Sequence, residues 1–306
     1  MYDHDDIYEP PPGVDGPEYS PESEVIAPPS TQEADSNLLE IEVSNRVRIF
    51  SSEHHDGQFK QFILTKNGHD GLISPPSELA YLDHAILEGG SIAGARAQKR
   101  RITLDFVARG ISHQDVSRLF PLGKREQIRV TRNGTTRVID AYRDGPINIE
   151  AHSSKATPVV SVSFLCPNPY FRNEVEVRSP LSGVTGGLTY PVTYPLRYGE
   201  VGENAAARIL NLGDYPAPFV LTLTTNVGGT LGIVIDGVEQ ARIVGVASGE
   251  QVTFDTGAKI LTINGVKRLS ALDGTFPRLP VRSSEVSLTG LAGNPIIRFN
   301  EIFEGV

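Results

Sequence analysis

Turn dipeptides containing glycine recur along this chain, between short runs in which apolar and polar residues alternate. Alternation with a period of two is typical of strands that bury one face, and Asn-Gly or Asp-Gly pairs favour tight β-hairpin turns. These pairs are Asn67-Gly68, Asp70-Gly71, Asn133-Gly134, Asp236-Gly237 and Asn264-Gly265. Together they predict a mainly β chain made of many short strands.

The alternating runs fall into two groups, which predict two domains. The runs of the first group are at residues 39–43, 46–50, 59–64, 101–107, 128–132, 135–141 and 159–165. Those of the second group are at residues 219–224, 233–235, 252–254, 260–263, 286–289 and 296–299. Short strands with this spacing indicate β-sandwiches. We place the two domains at residues 38–174 and 175–306.

One short helix is predicted in the first domain. Ser112 can cap its N-terminus, with Asp115 three residues further on. Val116, Leu119 and Phe120 then share one helical face. Pro121 follows at once, so the helix has about two turns and must dock on a sheet to be stable.

Residues 1–37 predict an extended N-terminal arm. This segment holds ten Asp and Glu residues, no Lys or Arg, and seven prolines, and no Leu or Phe occurs before Leu38. It cannot bury enough apolar area to fold alone, so we expect another chain to hold it. The arm carries a charge of −10 in a chain of net charge −9, so the two domains together are nearly neutral.

Several classes of protein are disfavoured by composition. The single cysteine, Cys166, excludes an intramolecular disulfide and a zinc site built from cysteines. The N-terminus resembles no signal peptide, and no apolar run is long enough for a membrane helix. We therefore expect synthesis in a cytoplasm and no membrane insertion.

No motif predicts catalysis, and we predict no catalytic, cofactor-binding or metal-binding residues. Residues 89–96 (GGSIAGAR) have the glycine spacing of a phosphate-binding loop, but Ala95 and Arg96 stand where Lys and Ser or Thr are needed. His54-His55-Asp56 indicates a surface loop rather than a metal site. Asn133-Gly134-Thr135 matches a glycosylation sequon but favours a hairpin turn. The prediction is a protein that is not an enzyme and uses no cofactor.

Two basic clusters lie in the first domain. They comprise Arg96, Lys99, Arg100 and Arg101, and then Lys124, Arg125, Arg129, Arg132 and Arg137. Acidic residues are interleaved with them, which disfavours a nucleic-acid interface. We expect a solvated face or charge pairing with a neighbour, for which the acidic arm is a candidate.

Glycan binding by the second domain is the main alternative function. Tyr190, Tyr194 and Tyr198 could stack on a sugar ring. The chain has no Trp, and the prolines between these tyrosines are more typical of an edge or interdomain segment.

The order of several motifs resembles a known family. The motifs are SHQDVSRLFPLGK (112–124), VSVSFLCPNPYFRNE (160–174), GGLTYPVTYPLRYG (186–199), ILNLGDYPAPFVLTL (209–223), GEQVTFDTGAKILTINGV (249–266) and GTFPRLP (274–280). In this order they resemble the distal tail protein of long-tailed, non-contractile bacteriophages, the siphophage baseplate hub family. The likeness runs from about residue 38 to the C-terminus. The acidic arm and residues 280–284 depart from it.

The resemblance implies a structural protein of the virion, at the distal end of the tail. Such proteins form a homohexameric ring that joins the tail tube protein to the tail-tip hub or tail-associated protein, the tape measure and receptor-binding proteins. The first domain would resemble the tube subunit and surround a channel through which DNA passes. The second would be a galectin-like sandwich at the periphery. We further expect strands 128–141 and 159–165 to belong to the inner sheet, with the helix outside it.

Overall fold

The computed structural model describes residues 39–52, 54–55, 58–59, 61–83, 88, 90–150, 158–185, 200–290 and 293–306. One α-helix, α1 (His113–Leu119), and one 3-10 helix, Leu269–Ala271, lie within them. The strands of the first part of the chain are β1 (Leu39–Val43), β2 (Val47–Phe50), β3 (His54–His55), β4 (Gln58–Phe59), β5 (Phe62–Asp70), β6 (Ser77–Asp83), β7 (Gly90–Ala97), β8 (Arg100–Ala108), β9 (Arg125–Arg132), β10 (Thr135–Arg143), β11 (Asn148–Glu150), β12 (Val159–Cys166) and β13 (Phe171–Asn173).

The remaining strands follow in chain order. They are β14 (Val177–Pro180), β15 (Ser182–Thr185), β16 (Glu200–Asn211), β17 (Phe219–Thr224), β18 (Gly229–Ile235), β19 (Val238–Val246), β20 (Gln251–Asp255), β21 (Ile260–Ile263), β22 (Val266–Lys267), β23 (Leu272–Gly274), β24 (Arg282–Thr289), β25 (Ile296–Phe299) and β26 (Ile302–Phe303). The mainly β prediction is confirmed. The predicted acidic arm, residues 1–37, lies outside the described residues.

Seven strands of the first part form a sheet that closes on itself. Their order is β12-β8-β5-β2-β1-β9-β10, and β10 pairs back with β12 through Tyr142 and Leu165. Neighbouring strands in this closed sheet are antiparallel, except that β2 runs parallel to β5. Strands β11, β13 and β26 extend the sheet beyond the closure. The first module is therefore a closed barrel, a feature that the predicted sandwich did not include.

The first hydrophobic core lies inside this barrel. Alternation directs residues such as Ile41, Leu104 and Val130 inward, where they are fully buried. Helix α1 adds Val116 and Phe120 to the same core. The Phe120 ring lies 6.0 Å from that of Phe106 and 5.9 Å from that of Phe164, between ring centroids. Such aromatic pairs add about 0.5–1.5 kcal/mol each beyond the area they bury.

The second core lies between two six-stranded sheets. One has the order β14-β25-β17-β20-β21-β22 and the other β15-β16-β24-β18-β19-β23. Buried residues of both sheets form one cluster, with Leu221 and Phe254 from the first sheet and Ile233 and Val286 from the second. This arrangement is a β-sandwich.

The last strand returns from the second core to the barrel. Strand β26 pairs with β13, so that Phe303 lies opposite Phe171 and packs in the first core. The chain thus visits the first core, then the second, then the first again. The division at residues 174 and 175 stays a prediction.

Candidate assembly surface

A two-stranded ribbon formed by β6 and β7 stands apart from the other sheets of the described chain. Its cross-strand partners include Leu79 with Ala95 and Tyr81 with Ile92. The register shifts between Ala80 and Tyr81, which marks a β-bulge. All residues of β6 are exposed, and so are those of β7 up to Arg96. We call residues 77–97 the ribbon, of which Ser77–Asp83, Glu88 and Gly90–Ala97 are described.

One face of the ribbon is apolar. Residues directly opposite each other in a strand pair share a face, and so do residues two apart along a strand. Leu79 and Tyr81 of β6 therefore share a face with Ile92 of β7. Their exposed fractions are 54%, 69% and 70%. These three side chains form an apolar surface that the described part of the chain leaves uncovered.

The opposite face of the ribbon is polar at its base. Glu78 accepts hydrogen bonds from Arg96 at 2.9 and 2.8 Å and from Gln98 at 3.1 Å. The bond from Arg96, more than that from Gln98, lowers the pKa of Glu78 below its ordinary value. Both Arg96 nitrogens donate to the same Glu78 oxygen, Oε2, and this pair joins β7 to β6.

An isolated two-stranded ribbon is marginally stable in water unless its apolar face packs against something. Large apolar side chains clustered on a surface commonly mark a site of protein association. The outer edges of the ribbon pair with no other strand of the described residues, and such edges favour pairing with another chain. What this site can do is bind a protein surface.

This ribbon is not among the strands predicted from the sequence. Residues 89–96 have the glycine spacing of a phosphate-binding loop, whereas the described residues Gly90–Ala97 form strand β7. Strand geometry is incompatible with a phosphate-cradling loop at a helix N-terminus. The alternation of Glu78, Leu79, Ala80 and Tyr81 is the signal that could have revealed β6.

Most arginines of the two basic clusters are paired within the chain. Arg101 lies 2.6 Å from Asp144, and Arg125 lies 2.6 Å from Asp140. Arg129 contacts Glu42 at 2.9 Å and Glu174 at 2.7 Å. These pairs offset part of the positive charge of the two clusters within the chain.

Two members of the clusters are withdrawn from solvent, one of them fully and the other in part. Arg100 is fully buried and Arg137 is partly buried, and both donate to backbone carbonyls rather than to carboxylates. The expectation that Arg100 belongs to a solvated or neighbour-binding cluster is therefore wrong. Arg100 shares the alternation of Ile102, Leu104 and Phe106, which places it on the inward side of β8.

The other sequence candidates are distributed as follows. His54 and His55 form β3, which pairs with β4, while Asp56 lies outside the described residues. Among the described residues no group of three His, Cys, Asp or Glu side chains could hold a metal ion. The Asn133-Gly134 pair forms a turn in which both residues have positive φ, as predicted.

Two further observations concern Cys166 and the membrane. Burial raises the pKa of the Cys166 thiol to about 12, so the thiol is neutral near pH 7. In the part of the chain that the structure describes, no helix combines the length and apolarity needed to cross a membrane. Tyr190, Tyr194 and Tyr198 lie outside the described residues.

Comparison with solved structures identifies phage tail proteins. The Dit protein (gp 19.1) of SPP1, a hub protein of the adsorption apparatus of phages infecting Gram-positive bacteria, gives a TM-score of 0.62 at 13% identity, over 87% of this chain and 99% of that one. The phage P2 baseplate in its activated conformation gives TM-scores of 0.46 with Ca and 0.44 with Sr, at 11% and 12% identity, over 87% of this chain and 98% of that one.

No protein-family model and no curated protein matches the chain in sequence. The likeness to SPP1 Dit therefore shows a shared fold. It confirms the fold that the motif resemblance implied, since the match extends over nearly the whole of the SPP1 protein.

Proposed function

We propose that this chain is the distal tail protein of a long-tailed, non-contractile bacteriophage, a structural virion protein rather than an enzyme. In this proposal it forms a homohexameric ring at the distal end of the tail. The ring joins the tail tube to the tail-tip hub and to receptor-binding parts, and DNA passes through its central channel. The observation that carries the proposal is the exposed apolar ribbon on a chain with the fold of SPP1 Dit.

The ribbon supports assembly from copies of this chain. In a closed ring of identical subunits each subunit presents the same two complementary surfaces, so every ribbon meets a neighbour and none stays exposed. Covering the exposed parts of Leu79, Tyr81 and Ile92 against that neighbour would favour association by about 25 cal/mol per Å² of apolar surface buried. We therefore assign the apolar face of the ribbon to a second copy of this chain.

The barrel supports a role in the ring wall. Some of its charged residues form cross-strand pairs, such as Arg129 with Glu42 at 2.9 Å. Strands β9, β10 and β12 belong to this one sheet, as the expectation for residues 128–141 and 159–165 requires. Which face of the sheet lines the channel stays a prediction, as do the tape measure, tube and tail-associated partners.

The mass of the purified protein tests the proposal. We expect native mass spectrometry and negative-stain images to show hexameric rings with an open pore. Replacing Leu79, Tyr81 and Ile92 together by Ser should shift the population to monomers, because the ribbon then loses its apolar face. Circular dichroism should remain that of the parent chain, since these side chains are exposed in the subunit.

A matched control replaces three exposed apolar residues on the surface of the β-sandwich by Ser, namely Val238, Val266 and Leu269. This variant should assemble as the parent does. A parent chain that stays monomeric under all conditions would contradict the ring, and equal loss of assembly in both variants would remove the ribbon from the interface.

The glycan-binding alternative has no support from the described residues. The tyrosines on which it depends, Tyr190, Tyr194 and Tyr198, lie outside them. Glycan binding therefore stays a prediction. Binding of the full chain to a glycan array, lost on replacing Tyr190 or Tyr198, would favour it.

A further inference from the structure

The mouth of the barrel is filled by the segment Ile302–Val306, which we call the strap. One edge of the strap pairs with the barrel, where Ile302 lies opposite Arg172 in β13. Its other edge meets the turn that leads into β17. There the Ile302 carbonyl accepts hydrogen bonds from the backbone N–H groups of Asp214 at 2.8 Å and Tyr215 at 3.3 Å. The strap therefore begins with a short strand, Ile302–Phe303, which is held between the barrel and the β-sandwich.

Two arginines of the barrel bind the backbone of the strap. Arg100 donates to the Glu304 carbonyl, and also to those of Gly71 at 3.1 Å and Leu72 at 3.4 Å. Arg137 donates to the Gly305 carbonyl. Neither guanidinium has an ion pair with a carboxylate among the described residues, and the Nε atom of each lacks a partner there. The strap therefore supplies one carbonyl acceptor to each cation, and for Arg137 it is the acceptor found among the described residues.

Side chains of the strap fit the same mouth. Phe303 packs in the first core, and the Arg137 guanidinium lies 3.8 Å from the centre of its ring. A cation over an aromatic face in a site shielded from water adds to binding. Gly305 passes so close to the Ile73 carbonyl that a β-carbon at this position would clash with it. The mouth thus selects an aromatic residue and, two positions later, a glycine.

The β-sandwich, which is the second module, holds the strap through polar groups. The Asp214 carboxylate accepts a hydrogen bond from the Glu304 N–H at 2.9 Å, and the Tyr215 hydroxyl lies 3.4 Å from the Glu304 carboxylate. The Tyr215 ring packs against that of Tyr170 on the barrel side, with the two rings tilted by 49° and their centroids 4.6 Å apart. Seating the strap therefore also fixes the turn at residues 213–215 against the barrel.

We propose that the barrel mouth is a strand-binding groove for an extended peptide of the pattern Ile-Phe-x-Gly-Val. Residues 302–306 of this chain are its ligand in cis. Their binding in the groove holds the β-sandwich in place against the barrel. Such a groove combines backbone pairing, which gives affinity, with a side-chain pocket, which gives specificity. The inference concerns a single subunit and does not depend on ring assembly.

Hydrogen exchange in the full chain tests the groove. Replacing Arg137 by Gln removes the cation from the Gly305 carbonyl and from the Phe303 ring. We expect the amides of Glu304, Val306 and Tyr215 to exchange at least about tenfold faster, as the loss of one charge-assisted hydrogen bond predicts. Amides of β20 in the second core should not change. The control is Arg132→Gln, which alters an exposed arginine in the neighbouring strand.

Unchanged exchange at the strap in the Arg137 variant would overturn the proposal. So would acceleration of the strap and β20 amides by the same factor, because that result indicates a general loss of stability. A monomeric preparation serves equally well, so failure of the ring proposal leaves this result readable.

A peptide in trans provides the second measurement. A chain lacking residues 302–306 should bind the synthetic peptide NEIFEGV, residues 300–306, saturably in calorimetry or refold on its addition. A peptide with Phe303→Ala should bind at least about tenfold more weakly. A truncated chain that is folded and does not bind the peptide, or one that is unfolded and is not rescued by it, would contradict the groove.

Discussion

At the residue scale, burial changes the pKa of the single thiol, that of Cys166. Burial in the first core raises the pKa of Cys166 from 9.0 to about 12. A thiol whose pKa is raised on folding favours the folded state fully below its unfolded pKa. That contribution is lost as the pH rises from 9.0 towards about 12.

The reactivity of the single thiol follows from this burial. At about pH 8, where an exposed thiol is partly ionised, we expect native Cys166 to resist a maleimide or disulfide reagent. One thiol per chain should react once the protein is unfolded in urea, with a midpoint that coincides with loss of the circular dichroism signal. Rapid labelling of the native chain would show that the thiol is accessible.

Arg100 shows where reasoning from single residue types fails. Its position beside Arg96, Lys99 and Arg101 suggested a surface cluster, because arginines are rarely buried without a charged partner. The alternation with Ile102 contained the correct answer. What the sequence could not supply is the acceptor, since the carbonyl of Glu304 lies 204 residues away along the chain.

At the element scale, local signals predicted most of the fold. The turns at Asn133-Gly134, Asp236-Gly237 and Asn264-Gly265 have positive φ at both residues, as their turn type requires. Strand β17 spans the predicted residues 219–224. Closure of the barrel through Tyr142 and Leu165 could not be predicted, because pairing between distant strands leaves no mark on local alternation.

Helix α1 provides a test of local capping. The Ser112 hydroxyl oxygen accepts a hydrogen bond from the Asp115 N–H at 3.2 Å, and the Ser112 O–H donates to the Asp115 carboxylate at 2.6 Å. We expect Ser112→Ala to lower the free energy of unfolding by about 1 kcal/mol in urea titrations. Ser117→Ala, an exposed change within the same helix, should not lower it. Equal losses in the two variants would assign the effect to the helix as a whole rather than to its cap.

At the scale of the whole molecule, the net negative charge is concentrated in residues 1–37. This arm has a charge of −10, and the whole chain has a net charge of −9. A chain without the arm would therefore have a net charge of +1. Among the described residues, several arginines are paired locally or bound to backbone carbonyls, as Arg129 and Arg137 are. An acidic segment of this length is suited to steering and holding a partner chain in the assembly.

Salt dependence distinguishes a functional arm from a passive one. Raising NaCl from about 0.1 M to about 1 M shortens the screening length from about 10 Å to about 3 Å. If another chain of the assembly holds the arm by charge, parent rings should dissociate more at high salt in mass photometry. A chain lacking residues 1–37 should form weaker rings at low salt and respond less to added salt. A control that keeps the arm's length and prolines, with Asn and Gln in place of its acids, should behave like the deletion. Rings of equal stability and equal salt response in all three chains would show that the arm takes no part in assembly.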